Sequence, residues 1–386
     1  MYDLVLAGGH VVDPAAGLDA VRDVAFADGR VAAVEPSIDP DAAKTVRRVD
    51  GAIVTPGLID LHTHVYWGAT SLSVAAEPIA RRSGATTFVD AGSAGAGTID
   101  GFRAFIVEAT PLRILAFLNI SYAGIFGFSR TVMVGECEDL RLLDAKECLR
   151  LAEANRDLVV GIKVRCGRVA GGNSGLAPLD LALEVAGRLD LPVMAHIDFP
   201  PPSRRDVLER LRPGDILTHC FRPFPNAPSD GRGRLARDIL AARERGILFD
   251  IGHGMGGFAF AEARAALAAG VAPDTISSDA HVLCADGPAY DVCETLSKFL
   301  ALGMPLAEVV RGATAAPAAA IGRPEIGTLA PGTPGDATVL DLVEGPACFT
   351  DAAGETLEAD HRLRPRLSVV AGGIWHDAAP AEETAR

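Results

Sequence analysis

Short apolar runs rich in β-branched residues recur through the middle of the chain and alternate with amphipathic stretches. The eight runs span residues 58–64, 86–91, 113–121, 158–165, 192–197, 216–220, 247–251 and 275–278. A period near 3.6 predicts helices between them at residues 74–83, 144–155, 179–189, 234–245 and 260–269. Strand–helix alternation is typical of a parallel sheet, and eight units predict an α/β fold, a (β/α)8 TIM barrel. A doubly wound open sheet is the alternative, but no G-x-G-x-x-G motif opens any predicted helix.

Both ends of the chain are also rich in strand patterns. Near the N-terminus, residues 24–34 form a hairpin pattern around Asp28-Gly29, a dipeptide typical of a tight turn. The C-terminal end carries similar short β-branched runs. The alternative to a shared domain is that the two ends form unrelated arms. We predict a small β-sandwich domain from both termini, at residues 1–55 and 324–386, with the barrel at residues 56–323.

The charge balance and the cysteines narrow the function. The chain has 36 basic and 50 acidic residues, a net charge of −14, whereas nucleic-acid-binding proteins usually present a basic surface. The longest uncharged apolar stretch, residues 114–129, contains Asn119 and is shorter than the roughly 20 residues of a membrane span. Asp3 stands where a signal peptide needs positive charge, and the seven cysteines include no C-x-x-C pair. We expect a cytoplasmic protein with neither nucleic-acid nor membrane partners.

Histidine and aspartate residues end several predicted strands, where a barrel fold places its chemistry. His62 and His64 share one face of the first strand, because alternate residues of a strand point the same way. His196, His219 and Asp279 lie at the ends of the fifth, sixth and eighth strands. With only nine histidines in the chain, this grouping is improbable by chance. Nitrogen and oxygen ligands of this kind suit Zn²⁺ or another borderline divalent ion.

Lys163 lies at the end of the fourth predicted strand and faces the same site. The chain contains few lysines, and an ammonium inside a barrel is costly because burial penalises the charged form. The ordinary alternative is a surface lysine at a frayed strand end. Beside four histidines and an aspartate, burial and nearby metal ions would lower the pKa of the amine and make it reactive.

These residues resemble the amidohydrolase superfamily of metal-dependent hydrolases over nearly the whole chain. The resemblance rests on residues 55–64 (TPGLIDLHTH), on the ordered ligand positions after them, and on residues 327–337 (GTLAPGTPGDA). Within the superfamily, the chain is most similar to the dihydroorotase-like amidohydrolase/deacetylase branch. The resemblance implies two divalent metal ions, with Zn²⁺ favoured, and a lysine carboxylated by CO₂. The implied ligands are His62, His64 and Asp279 for one ion, His196 and His219 for the other, and carboxylated Lys163 across both.

The implied chemistry is the hydrolysis of an acyl ester or amide. Two divalent ions about 3.5–4 Å apart lower the pKa of a shared water, so a metal-bridging hydroxide can attack the acyl carbonyl. Asp279 is the catalytic residue, placed to take the proton and pass it to the leaving group. The branch suggests an O-acetyl 2-hydroxy acid or an N-acyl amino acid as the substrate.

Three other functions are alternatives to the hydrolysis of an acyl ester or amide. A cyclic-amide hydrolase of the dihydroorotase or hydantoinase type would use loop residues specific for the ring, which the sequence does not identify. A mononuclear deaminase is disfavoured, because no H-x-x-E helix follows the sixth predicted strand. A non-catalytic barrel scaffold would lack metal ligands, and every implied ligand is present.

Three further residues are candidates for contact with the substrate. Arg165 shares strand parity with Lys163 and could clamp a substrate carboxylate bidentately, or pair with a loop carboxylate instead. His281 shares parity with Asp279 and could orient it, or could have a capping or solvent-facing role. His253 follows the seventh strand and could donate to a substrate oxygen, or could serve the loop alone. We expect a small acylated, acidic substrate, and the sequence leaves open whether the chain forms a homo-oligomer.

Overall fold

The computed structural model describes residues 1–378 as a mixed α/β fold. In chain order the strands are β1 (Tyr2–Asp13), β2 (Leu18–Ala27), β3 (Arg30–Glu35), β4 (Ala43–Arg48), β5 (Ile53–Pro56), β6 (Leu58–Thr63), β7 (Ala85–Gly95), β8 (Arg113–Asn119), β9 (Gly127–Phe128), β10 (Met133–Val134), β11 (Val159–Cys166), β12 (Val193–Ile197), β13 (Ile216–Leu217), β14 (Leu248–Phe249), β15 (Ala337–Thr350), β16 (Thr356–Val370) and β17 (Gly373–Asp377). The α-helices are α1 (Ala76–Ser83), α2 (Ile99–Phe102), α3 (Ala145–Ala154), α4 (Arg168–Gly171), α5 (Ala177–Leu189), α6 (Arg204–Arg210), α7 (Arg237–Glu244), α8 (Phe260–Ala268), α9 (Val292–Ala301), α10 (Leu306–Arg311) and α11 (Ala315–Ala320).

Seven strands form one parallel sheet, in the order β6-β7-β8-β11-β12-β13-β14. Their residues are almost all buried, as expected for parallel strands covered on both faces. The eighth predicted strand, residues 275–278, contributes one isolated bridge instead, from Thr275 to Asp250 beyond β14, and Ala280 just after this run bridges to Thr63 in β6. These bridges link the two edge strands of the sheet. Asp279, which directly follows the run, has a left-handed φ of 49°, a conformation outside the β region.

Five of the helices correspond to the predicted ones, namely α1, α3, α5, α7 and α8, with ends that differ by three residues or fewer. Helix α1 illustrates the pattern, because its buried residues Ile79, Ala80 and Ser83 recur at helical spacing. It ends at Gly84, whose φ of 74° is the left-handed conformation of a typical helix C-terminus. The other six helices, α2, α4, α6, α9, α10 and α11, fall outside the predicted ranges. Within residues 1–378, no helix combines the length and apolar character needed to cross a membrane.

Strands from both ends of the chain share a second sheet of eight strands, because β5 pairs with β15. The predicted hairpin is present as β2 and β3, and Asp28 and Gly29 both have positive φ. Apolar residues from both ends, such as Phe26 and Val339, pack in one hydrophobic cluster. The two ends are therefore not unrelated arms. The sandwich arrangement and the domain boundaries stay predictions, and residues 379–386 of the predicted C-terminal segment lie outside the described residues.

Candidate metal centre

The predicted metal ligands converge at the carboxyl ends of the parallel strands. They are His62 in β6, His64 just after it, Lys163 in β11, His196 in β12, His219 after β13, and Asp279. Nε2 of His62 and Nε2 of His64 lie 3.4 and 3.2 Å from Oδ1 of Asp279. The ring centroid of His219 lies 5.1 Å from that of His62 and 4.6 Å from that of His196. Together with Lys163, whose Nζ is 3.3 Å from Nε2 of His62, the six side chains form one cluster.

Hydrogen bonds behind two of the imidazoles determine which nitrogen faces this cluster. The Thr218 hydroxyl donates to Oδ2 of Asp250 at 2.7 Å, so its oxygen accepts from Nδ1 of His62 at 2.8 Å. Nδ1 of His219 donates to the carbonyl oxygen of Gly252 at 2.6 Å. In both rings the proton is therefore on Nδ1, and the Nε2 lone pair is free to bind a cation.

His62, His64 and Asp279 form a site that fits a divalent cation. Their ligand atoms all lie within 4.8 Å of one another, and all three residues are buried. Oδ1 of Asp279 is buried and has no hydrogen-bond partner in the part of the chain that the structure describes. Burial lowers the pKa of His64 to about 3, which keeps its ring neutral. Two neutral imidazoles and a carboxylate are a typical ligand set for Zn²⁺.

Lys163 is fully buried beside this site. Its Nζ contacts Nε2 of His62, and among residues 1–378 no carboxylate lies at ion-pair distance from it. Burial lowers the pKa of the Lys163 amine to about 8. Gly92 makes room for the side chain, since a Cβ at that position would lie 2.6 Å from Cγ of Lys163. Burial thus increases the fraction of the neutral amine, which is the form that can react as a nucleophile.

Two of the cluster residues have strained backbone conformations. His219 and Asp279 have φ values of 60° and 49°, a region that non-glycine residues occupy rarely and often at functional sites. Asp60 holds the residue before Asp279, because its carboxylate accepts hydrogen bonds from the Ser278 amide at 2.9 Å and from the Ser278 hydroxyl. Burial raises the pKa of Asp279 to about 6. The fold thus holds this carboxylate in a defined position inside a water-poor site.

The cluster lines a cavity of about 260 Å³, a volume suited to a small molecule. Its apolar wall is formed by Leu72, Phe128, Met133, Val169, Phe199 and Met255. The polar side chains around the cluster are Arg165, Asp198, Arg222 and His281.

Arg165 lines the cavity, but the edge of its guanidinium that could bind a carboxylate through two hydrogen bonds is already paired. Its Nε and Nη2 each donate at 2.7 Å to the Glu136 carboxylate, and the pair is buried. The guanidinium also lies over the Phe128 ring, 4.8 Å from its centroid. The predicted clamp on a substrate carboxylate is therefore corrected to the alternative, an ion pair with a loop carboxylate. The physical reason is that a buried guanidinium requires a counter-charge.

His253 does not reach the cavity. Its Nδ1 donates to the carbonyl oxygen of Gly254 at 3.0 Å, and its Nε2 lies 2.8 Å from Nζ of Lys298. Both ring nitrogens are thus used inside the protein, so the predicted contact with substrate is corrected to a structural role in the loop.

His281 does line the cavity and stacks on the ring of His64 with a centroid distance of 6.1 Å. Its Nε2 lies 4.0 Å from Oδ2 of Asp279, which is longer than a hydrogen bond. Nδ1 of His281 is buried without a hydrogen-bond partner among the described residues. The predicted orienting role of His281 therefore stays a prediction.

Several polar residues around the cluster were missed by sequence reasoning. They are Ser93, Glu136, Thr218, Arg222 and Asp250. Asp250 and Thr218 end predicted strands just as the ligands do, so the strand-end rule could have found them. Ser93 lies in β7 beyond the end of the predicted run at residue 91, and Glu136 lies in a loop, so no sequence signal points to them.

A parallel α/β sheet with a buried His-His-Asp site at its carboxyl edge is the arrangement of a metal-dependent enzyme, and similarity to known proteins identifies its class as the metal-dependent hydrolases that act on C–N or C–O bonds. A family model described as the amidohydrolase family matches residues 259–373. The chain is also 36% identical over 359 residues to a deacetylase of Brucella anthropi, covering 91% of this chain and 87% of that protein. The chain belongs to the amidohydrolase superfamily, in its dihydroorotase-like amidohydrolase/deacetylase branch.

Solved structures of similar chains support the same family. A crystal structure described as a dihydroorotase has a TM-score of 0.89 and 34% identity, covering 97% of this chain and 99% of that one. One described as an adenine deaminase has a TM-score of 0.91 and 30% identity, covering 98% of this chain and 100% of that one. The names of these similar proteins specify different reactions. The similarity therefore establishes the family and the fold, and the substrate has to be argued from the site.

Proposed function

We propose that this chain is a binuclear metal-dependent hydrolase of the deacetylase type that cleaves an acyl ester or amide. The observation that carries the proposal is the environment of Lys163, a fully buried amine that contacts Nε2 of His62 and has no carboxylate partner within residues 1–378. A carboxylated lysine would supply the anion that two neighbouring cations need between them. A single cation bound by His62, His64 and Asp279 would leave Lys163 without a role.

The donor atoms divide into two groups that would hold two divalent ions, with Zn²⁺ favoured. His62, His64 and Asp279 would hold one ion, and His196 and His219 would hold the other. Carboxylated Lys163 would bind both. The orientation of His62 and His219 supports this division, because each presents Nε2 to the cluster.

The chain's own groups account for the proton transfers of hydrolysis. Bound divalent ions would supply a water of lowered pKa and would polarise the acyl carbonyl. Asp279 takes a proton from the attacking water and passes it to the leaving oxygen or nitrogen, as a general base and then a general acid. Asp60 and Ser278 keep this carboxylate in place, and the apolar wall of the cavity keeps bulk water away from it.

The substrate proposed is an O-acetyl 2-hydroxy acid or an N-acyl amino acid. Relatives named as deacetylases favour acyl removal, and the cavity pairs an apolar wall with arginine side chains. The second candidate is a cyclic-amide hydrolase, favoured by the close structural similarity to the chain described as a dihydroorotase.

A substrate screen with matched controls tests this proposal. Protein stripped with a chelator and reloaded with Zn²⁺ and bicarbonate should release acetate from N-acetyl amino acids or O-acetyl 2-hydroxy acids. Asp279→Asn should retain much of the metal but lose turnover by a factor of about 10² or more, because the amide cannot carry the proton. Faster ring opening of dihydroorotate or a hydantoin would favour the second candidate. Near wild-type turnover in Asp279→Asn would contradict the proton-transfer role.

A further inference from the structure

Two arginines line the cavity, and their charges are balanced very differently. Arg165 forms a buried bidentate pair with Glu136, at 2.7 Å for both hydrogen bonds. Arg222 forms no ion pair within 4.0 Å with any carboxylate in residues 1–378, although it is also buried, with 9% of its surface exposed. The cavity therefore contains one neutralised guanidinium and one whose charge is not directly paired.

The hydrogen bonds of Arg222 leave part of its guanidinium unused. Nη1 donates to the carbonyl oxygen of Ile197, and the side chain makes no other hydrogen bond within the described chain. Nε is buried and has no acceptor. An unpaired buried donor costs free energy comparable to a lost hydrogen bond, so native proteins rarely leave one without a functional reason.

Asp198 is the carboxylate whose charge acts on Arg222, and its own hydrogen bonds go to other groups. Asp198 attracts the guanidinium from beyond ion-pair distance. Its oxygens accept hydrogen bonds from the amides of Val169 and Ala170, each at 3.0 Å, and from the amide of Phe199. Asp198 therefore holds the neighbouring loop and does not form a direct pair with Arg222.

We propose that Arg222 binds the carboxylate of the substrate. This inference rests on the proposed function and replaces Arg165, whose matching edge is filled by Glu136. The hydrogen bond to Ile197 places Arg222 beside His196, so the substrate's acidic group lies toward the His196 side of the cluster. The Arg165–Glu136 pair is an observed guanidinium–carboxylate contact. In the proposal, Arg222 makes the same kind of contact with the substrate, and this contact is geometrically specific.

The test compares the binding of an acid with the binding of its neutral isostere. The probes are 2-hydroxy-4-methylpentanoate and its carboxamide, titrated into Zn²⁺-loaded protein by calorimetry. Wild type should prefer the acid. Arg222→Met should weaken acid binding by about ten- to a hundredfold while changing carboxamide binding by less than about threefold. Arg222→Lys, which retains a positive charge, should recover part of the loss.

Other outcomes would overturn the inference, and each is distinguishable from failure of the proposed function. Equal losses on both probes, or a loss of bound metal in Arg222→Met, would show that Arg222 only supports Ile197 and His196. No preference for the acid in wild type would exclude an anion site. The binding experiment does not require turnover, so wild-type protein that binds the acid through Arg222 but hydrolyses no acyl compound would contradict the proposed function alone.

Discussion

At the residue scale, the candidate site depends on glycines that make room for the proposed metal ligands and the side chains behind them. Gly252 and Gly254 follow β14 and have φ values of 47° and 49°, which glycine adopts without strain. A Cβ at Gly254 would lie 2.3 Å from Oδ2 of Asp279, and a Cβ at Gly252 would lie 2.4 Å from Oγ1 of Thr218. The loop therefore packs its backbone directly against the side chains of the cluster.

This close approach predicts the effect of a single methyl group. Gly254→Ala should displace the Asp279 carboxylate and weaken Zn²⁺ binding by about ten- to a hundredfold, the usual scale for residues that support a ligand. Gly256→Ala is the matched control, because a Cβ there meets nothing within 4 Å. Competition with a chromophoric chelator would measure both affinities. Equal Zn²⁺ affinity in the two variants would show that Gly254 does not position Asp279.

Strand parity predicted which side chains converge in the cluster, but it could not predict the partners of the surrounding charged residues. Parity states which way a side chain points, and it placed Arg165 correctly in the cavity. The partner of Arg165 is Glu136, which lies 29 residues away in a loop. Likewise, His253 pairs with Lys298, 45 residues later. Contacts between distant loops and helices have no local period, so the sequence alone left these alternatives open.

At the element scale, Lys298 connects α9 to three other segments. Its Nζ lies 2.6 Å from the Pro288 carbonyl oxygen, 2.8 Å from the Thr350 carbonyl oxygen at the end of β15, and 2.8 Å from Nε2 of His253. Nδ1 of His253 donates to the carbonyl of Gly254, so Nε2 is an acceptor. Three acceptors thus match the three protons of an ammonium. Burial lowers the pKa of Lys298 to about 8.

Removing this amine should destabilise the protein and change its pH dependence. Lys298→Met leaves buried acceptors unpaired and should lower the free energy of unfolding by about 2–4 kcal/mol. The folded-state pKa of about 8 lies below the ordinary 10.5, so between these values the unfolded chain binds more protons. The stability of wild type relative to Lys298→Met should therefore rise as the pH increases from about 8 to about 10.

Urea unfolding at several pH values would measure this difference. Lys146→Met is the control, because Lys146 is exposed and its loss should change stability little. A stability difference that falls with pH across this range would contradict the lowered pKa of Lys298.

Helix α9 also shows why some elements escaped prediction. Its buried residues include Thr295, Ser297 and Lys298 as well as apolar ones. Polar residues that would normally indicate an exposed face therefore lie inside, and the amphipathic pattern does not reveal the buried side. The run at 275–278 shows the opposite case, a predicted strand that is not a regular one. Its serines donate hydrogen bonds to Asp60 and Asp250 and do not act as sheet residues.

At the scale of the whole molecule, the terminal sheet is tied to the parallel sheet near Asp336. The Gly57 amide donates to the carbonyl oxygen of Asp336 at 3.0 Å, and Arg113 at the start of β8 pairs with its carboxylate at 2.8 Å. Gly57 stands between β5 of one sheet and β6 of the other. Asp336, the residue before β15, therefore joins the two sheets. The junction lies next to β6, the strand that carries His62.

The most direct test of the account is the metal content of purified protein after reconstitution with Zn²⁺ and bicarbonate, measured by elemental analysis. The account predicts close to two ions per chain in wild type and the loss of at least one in Lys163→Ala, because two cations repel each other without a shared anion. Loading without bicarbonate should lower the wild-type value. One ion per chain in wild type, or full occupancy in Lys163→Ala, would contradict the binuclear centre.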